Sequence, residues 1–483
     1  MDEKKKIISG GFWTGLASGV TMFSQFIRIM ILTRYLDRSD FGVVAIINMV
    51  IGLCLAFGDL GFSSVIMYKK NLSKTEFSSL YWLQLFIYSA IYILLCATSP
   101  LFSMFYNEQS LLLLIPLSAL SLISLAIGKL YESILQKRYE FKLLSIRNIV
   151  SNIISLFLAW WMAWRGYGIY SLIFSTLFQN IIYNIWSLWA GLKYQKISLS
   201  FSYKTSKPLL NIGIYQTYTR IADYISSQLD VLIIGKLLGT DALGGYDLAK
   251  QLVNRFVNFF KQTISQVALP ALSNHNNNAD VVRDRFLSIT RIVAIICIPV
   301  SFSIAVFSEE IIKFVYGVKY IDTALIASVF AITTMITSIS CFFDMLGIAK
   351  GRTDLNFKNT IYRIIITIPI TIGASLISIE AVAWGQLLTA VFQMIIFWKI
   401  VVMKTYPMNF HIYMRTFSKT LLVWFAMSII LYILKDVLCI MTFLSNEYTQ
   451  LLVYLSIGLC IVIIAYYSIL RQDVKFLFNI LKR

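Results

Sequence analysis

Arg28, Arg220, Asp223, Asp230, Asp247, Lys250, Arg255 and Lys261 fall inside stretches of chain that are otherwise apolar enough to cross a membrane. An ionised side chain in hydrocarbon costs about 3 kcal/mol or more, so it persists only where protein groups or water shelter it. Guanidinium and ammonium groups gathered in such a place hold anions, phosphate above all. Carboxylates beside them can capture or release those cations, or couple to H+ or Na+. The array points to a polar cavity that binds an anionic cargo, with no resident cofactor.

The densest array is a single stripe. Asp247, Lys250, Gln251, Asn254, Arg255, Asn258, Lys261, Gln262 and Ser265 recur at helical spacing, and Leu248, Leu252, Phe256, Phe259 and Ile264 take the other faces. Three readings fit it: a cavity wall, an amphipathic helix lying on the membrane surface, or a structural ion-pair network. The surface helix would remove one crossing and put the later basic loops on the wrong side. Arg220 and Asp223 stand at i, i+3, close enough to neutralise one another, and are read as either a structural pair or part of the site. Arg28 lies towards the far end of the first span, where snorkelling to the interface is the alternative to facing a cavity.

The elements that must position these groups are membrane helices. Of 483 residues 58% are hydrophobic and 14% charged, a departure from soluble domains towards the membrane class. Apolar runs of about 20 residues, each able to cross about 30 Å of hydrocarbon, recur along the chain. About 14 transmembrane helices fit, the first at 12–33 and the last at 448–470. Met1–Lys6 is charged, but the apolar run after it is too long for a cleaved signal, so the first helix is expected to stay.

The net charge of +18 would suggest nucleic acid in a soluble protein. Here Lys and Arg crowd the loops on the side of the N-terminus, roughly four to one, which places both termini in the cytoplasm and excludes nucleic acid as a partner. Membrane lipids are the partner that this excess favours. The six cysteines form no CxxC, and His275 and His411 lie far apart, so neither a disulfide framework nor a metal site is expected. No phosphate loop or nucleophile elbow is present, and no loop is long enough to house soluble chemistry. No catalytic residue is expected.

The chain repeats itself weakly at an offset of 202 residues: Gly11 falls on Gly213, Arg34 on Lys236, Leu36 on Leu238 and Gly42 on Gly244. Six spans separate the copies, so both keep one orientation, as in parallel repeats about an axis along the membrane normal. The repeat also sets Arg28 against Asp230 and Asp59 against Lys261. Pro116, Pro299 and Pro369 stand inside expected spans as kink candidates, and Gly15-x-x-x-Gly19 permits close helix contact.

Arg34-Tyr-Leu-Asp-Arg-Ser-Asp-Phe-Gly42, Asp59-Leu-Gly61, Asp230-Val-Leu-Ile-Ile-Gly-Lys-Leu-Leu-Gly239, Ala242-Leu-Gly-Gly-Tyr246 and Val267-Ala-Leu-Pro-Ala-Leu-Ser273 stand in order along the chain. In these it resembles the polysaccharide transporter (O-antigen and exopolysaccharide flippase) family of the multidrug, oligosaccharidyl-lipid and polysaccharide exporter superfamily. The resemblance implies an all-α polytopic membrane protein with two six-helix lobes in a V about a cationic cavity, related by a parallel pseudo-twofold repeat. It implies two further C-terminal helices, like those that form a lipid-tail groove in lipid II flippases. The expected domains are 1–207, 208–404 and 405–483.

The implied activity is translocation of undecaprenyl-pyrophosphate-linked oligosaccharide repeat units across the bacterial cytoplasmic membrane by alternating access. A polysaccharide polymerase and a chain-length regulator are the implied partners. Arg28, Arg220, Lys250 and Arg255 are assigned by charge and depth to the pyrophosphate. Asp223, Asp230, Asp247, Asn254, Asn258 and Lys261 are assigned to the polar cavity and coupling. The alternatives are a drug/cation antiporter of the same superfamily and a membrane polymerase or ligase of lipid-linked glycans.

Overall fold

In a computed structural model the chain is built of helices and turns, with no strand among the described residues. The structure describes residues 3–58, 61–69, 73–199, 203–273 and 278–440, and their side chains except 3–8, 64, 68, 203–219, 256, 258–263, 265–267, 269–271, 273 and 434–440. A chain in lipid must satisfy its backbone internally, and a helix does so within one segment. Hence long helices follow one another: α1 (Glu3–Leu32), α2 (Arg38–Gly58), α3 (Phe62–Tyr68), α4 (Lys74–Tyr106), α5 (Leu111–Lys137), α6 (Phe141–Trp164) and α7 (Tyr170–Gly191). After these come α8 (Tyr203–Leu237), α9 (Gly239–Ser273), α10 (Ala279–Val306), α11 (Ser308–Val315), α12 (Ala324–Ser340) and α13 (Phe343–Ala349). The described chain ends with α14 (Thr353–Ser375), α15 (Ile379–Phe397), α16 (Met403–Thr405) and α17 (Phe410–Ile440).

Among the described residues nine helical stretches are long and apolar enough to cross a membrane. α7, α8, α9 and α14, with 22, 35, 35 and 23 residues, also have the length. The expected span at 448–470 lies outside the described residues. Local chemistry sets the ends. Ser73 caps α4 by accepting from the Glu76 backbone N–H while the Glu76 side chain accepts from the Ser73 N–H, satisfying two donors at once. Pro116, Pro299 and Pro369 sit inside α5, α10 and α14, and none of these helices ends there.

The chain divides into two compact units, Met1–Gly244 and Gly245–Arg483. In the first, α1 packs on α6, α5 on α4 and α7, α6 on α7, and α2 on α8. In the second, α10 packs on α12 and α17, and α15 on α12 and α14. Its core is aromatic: the Tyr413 ring lies 4.8 Å from Trp398, 5.4 Å from Phe343 and 5.3 Å from Phe417, centre to centre. Rings at such distances add attraction to the large apolar area that each one buries.

The sequence repeat has a physical counterpart within the first unit. A Cβ on Gly42 would stand 1.8 Å from the Thr240 carbonyl oxygen, and one on Gly244 would stand 1.8 Å from that of Arg38. Both positions therefore require glycine. The offset of 202 carries Gly42 onto Gly244 and Arg38 onto Thr240, so the two contacts are copies of each other. Reciprocal contact of this kind marks a twofold relation, in which i meets j and j meets i. Here it relates the start of α2 to the start of α9.

Candidate functional site

Within the first unit, α1, α6 and α7 share a polar lane. On α6, Asn148, Asn152 and Ser155 fall at i, i+4 and i+7, and on α7, Gln179, Tyr183 and Ser187 fall at i, i+4 and i+8, so each set lines one helix face. Arg28 of α1 does not reach for an interface. Its Nη1 donates to Ser155 Oγ at 3.2 Å and to Gln179 Oε1 at 3.4 Å. The Gln179 amide donates to Asn152 Oδ1 at 3.0 Å, and the Asn152 amide donates to the Asn148 carbonyl at 2.8 Å and its Oδ1 at 2.9 Å. Asn152 and Ser155 are 4% and 1% exposed, whereas Arg28, Asn148 and Gln179 are half-buried, so the helices cover the lane in part.

Beside Asn148 on α6 the lane ends in a charged cluster at Arg147. Arg147 is 1% exposed, and its guanidinium centre lies 3.4 Å from the centre of the Tyr183 ring. Its Nη1 donates to Ser187 Oγ, and its Nη2 reaches Glu132 Oε1 at 3.4 Å. The Tyr183 hydroxyl donates to that same oxygen at 2.5 Å, and Lys129 Nζ meets the other at 3.1 Å. Two cations share one carboxylate, so the cluster keeps a net positive charge. Arg147 Nε is buried with no hydrogen-bond partner.

Neither Glu132, Lys129 and Arg147 nor the amides of the lane are among the residues singled out from the sequence. Their signal was present. Arg147-Asn148 followed by Ser151-Asn152 and Ser155 is a polar stripe in an apolar helix, and Gln179, Tyr183 and Ser187 form another. A search for formal charge at mid-span passes over amides, and it reads Glu132 and Arg147 as loop-proximal.

The residues expected on α8 differ in burial. Arg220 and Asp223 are exposed, whereas Asp230 is buried, its Oδ1 accepting the Val231 backbone N–H at 2.9 Å.

The second unit holds most of α9, where the described part of the stripe is linked along the helix. Gln251 Nε2 donates to Asp247 Oδ2 at 2.6 Å, and Arg255 Nη2 donates to Gln251 Oε1 at 2.9 Å. Asp247, Lys250, Gln251, Asn254 and Arg255 are all half-buried. Leu248, Ala249, Leu252, Val253 and Val257 are buried on the packed side. Lys250 Nζ stands 5.9 Å from the centre of the Tyr246 ring. The side chains of Asn258 and Lys261 lie outside the described residues. Asp247 and Arg255 are thus brought together through Gln251.

Among the described residues no three His, Cys, Asp or Glu side chains gather as metal ligands. The arrangement suits anion and carbohydrate binding. Buried guanidinium groups supply charge-assisted donors, while amides and hydroxyls both donate and accept, as sugar hydroxyls require.

Residues 31–325 match the model of a family described as polysaccharide biosynthesis protein. The teichuronic acid biosynthesis protein TuaB of Bacillus subtilis (strain 168) is 25% identical over 357 residues, 73% of each chain. The lipopolysaccharide biosynthesis protein WzxC of Escherichia coli (strain K12) is 23% identical over 397 residues, 82% of this chain and 81% of its own. Among solved structures, the lipid II flippase MurJ in an inward closed conformation superposes with a TM-score of 0.73 at 18% identity, covering 97% of this chain and 99% of its own. That likeness carries the fold, and the family match covers more than half of the sequence: the chain belongs to the polysaccharide biosynthesis protein family.

Proposed function

We propose that this protein is a flippase, a transporter and not an enzyme. It moves undecaprenyl-pyrophosphate-linked oligosaccharide repeat units across the bacterial cytoplasmic membrane by alternating access, for O-antigen, capsule or exopolysaccharide synthesis. The observation that carries the reading is the partly buried lane from Arg28 through Ser155, Gln179 and Asn152 to Asn148. It sets a guanidinium beside amide and hydroxyl groups inside membrane helices, the donors and acceptors that a pyrophosphate and its sugars need. The names of the relatives, which concern teichuronic acid and lipopolysaccharide biosynthesis, support the same cargo class.

In this reading Arg28, Arg220, Lys250 and Arg255 engage the pyrophosphate at successive stages. Asp223, Asp230 and Asp247, with Asn254, Asn258 and Lys261, hold or release those cations or couple transport to H+ or Na+. A ligand drives a switch only by binding its two states differently, so at least one basic contact changes between them. The lobes are 1–207 and 208–404, with the helix pair 405–483 beside them. Both termini are cytoplasmic, and a polysaccharide polymerase and chain-length regulator work alongside.

The test is deletion in a glycan-producing host. The expected result is loss of every repeat unit from the outer leaflet, with lipid-linked repeat units accumulating inside. Continued export of single, unpolymerised units would mean a polymerase instead. Accumulation of cationic dyes in the deletion strain, with normal glycan, would mean a drug antiporter.

A further inference from the structure

Between α2, α4 and α8, within the first unit, lies a cleft of about 1040 Å3. That is the size of a large ligand pocket, yet its walls are almost wholly hydrocarbon. Along α4 it runs from Ile91 to Tyr106, about 22 Å at 1.5 Å per residue. Gln228 is beside Tyr224 at its edge, and Tyr224 and Thr98 direct their hydroxyls to the helix backbones. The Tyr224 hydroxyl donates to the carbonyls of Asn48 and Met49 at 3.2 and 3.1 Å, and Thr98 Oγ1 donates to the Leu94 carbonyl at 2.8 Å. Phe57, Leu94, Leu101 and Met104 are exposed at its mouth, and α4 is a membrane-spanning helix buried over little of its length. The cleft therefore opens towards lipid.

One end carries a cation. Lys236, exposed near the end of α8, places Nζ 2.6 Å from the carbonyl oxygen of Phe105 and 4.8 Å from the centre of its ring, and Phe105 is a wall of the cleft. An ammonium has three donors, and the carbonyl takes one. Two remain for a phosphate at the head of whatever chain lies in the cleft.

We propose that this cleft seats the single hydrocarbon chain of a polyprenyl phosphate or pyrophosphate lipid, with Lys236 receiving the phosphate. The inference rests on the function proposed above, since it is the tail of that cargo that needs a seat. It differs from the C-terminal groove that the family resemblance implies. A single apolar cleft with one cation at its end matches one chain carrying one phosphate head. A two-chain phospholipid would leave its second chain unhoused.

The test uses the full chain in nanodiscs with a polyprenyl phosphate bearing a diazirine on its chain, crosslinked by light and mapped by peptide mass spectrometry. Adducts are expected on the segments containing Phe57, Leu94 and Leu232, removed by excess undecaprenyl phosphate and retained with equal phosphatidylglycerol. Lys236→Gln, a surface change, should reduce the adducts several-fold, and Leu232→Trp, which fills a half-open wall position, should remove most of them. Adducts elsewhere, or equal competition by phosphatidylglycerol, overturn the seat. Translocation of a lipid-linked glycan, measured in vesicles of the same protein, separates the two ideas. Mapped adducts without translocation sink the transport function and leave the seat. Translocation with adducts elsewhere sinks the seat alone.

Discussion

The lane around Arg28 is joined across three helices, whereas Asp247, Gln251 and Arg255 are joined to one another along a single helix. In the first unit most links span chain-distant elements: Arg28 with Ser155 and Gln179, Gln179 with Asn152, Glu132 with Arg147 and Tyr183, while Asn152 to Asn148 and Lys129 to Glu132 are local. On α9 the links run Asp247 to Gln251 to Arg255, four residues at a time. The difference is one of stakes. Side-chain pairs within a helix are worth about 0.2–0.5 kcal/mol and re-form easily. Removing one partner of a buried ion pair leaves an uncompensated charge and costs about 3–5 kcal/mol. The cross-helix array is therefore scaffold, and the links along α9 are the cheaper ones to break.

The largest expected effect is at the charged end of the lane. Glu132→Ala should strand Arg147 beside Lys129 and lower stability by about 3–5 kcal/mol, seen as reduced yield and a lower melting temperature in detergent. Glu132→Ala combined with Arg147→Met removes both charges and should recover much of that loss. If Glu132→Ala alone unfolds no earlier than the parent, the cluster is not buried as described and the contrast with α9 fails.

Arg28→Ala comes next. Each charge-assisted hydrogen bond that Arg28 offers a pyrophosphate is worth about 1.5–3 kcal/mol, so its loss should reduce glycan export roughly 10- to 100-fold. Protein level should fall much less than for Glu132→Ala, because Ser155 also donates to the Ser175 carbonyl at 2.9 Å and keeps a partner. Arg28→Lys, which keeps charge and loses the planar fork, should lie between. Normal export by Arg28→Ala at normal abundance would remove Arg28 from the substrate path.

How much of this could be read from the sequence follows the same division. Helices of membrane length are written in composition, and the fold follows from them. The glycine pair Gly42 and Gly244 could be found from the repeat because each copy stands at the same offset. The α9 stripe was legible because Asp247, Gln251 and Arg255 meet at a spacing fixed by one helix. The lane was not. That Arg28 would reach Ser155 and Gln179, 127 and 151 residues away, depends on how α1 settles on α6 and α7, which no local spacing encodes. Arg220, Asp223 and Asp230 show the same limit from the other side. They share one helix, yet packing leaves the first two exposed and buries the third.

The smallest expected effect gives the sharpest test of the comparison. Gln251→Leu cuts the link between Asp247 and Arg255 while leaving both charges in place. If the stripe is a device that rearranges, stability should change by no more than about 0.5 kcal/mol, and export should drop a few-fold because Arg255 is no longer aligned for the anion. Arg255→Ala, which removes the cation itself, should lower export further at unchanged yield. The decisive ratio is export against melting temperature. For α9 variants export should fall with stability nearly constant, and for Glu132 variants the two should fall together. Were Gln251→Leu to destabilise the protein as much as Glu132→Ala does, α9 would be scaffold in the same sense as the lane, and the division between the two arrays would not hold.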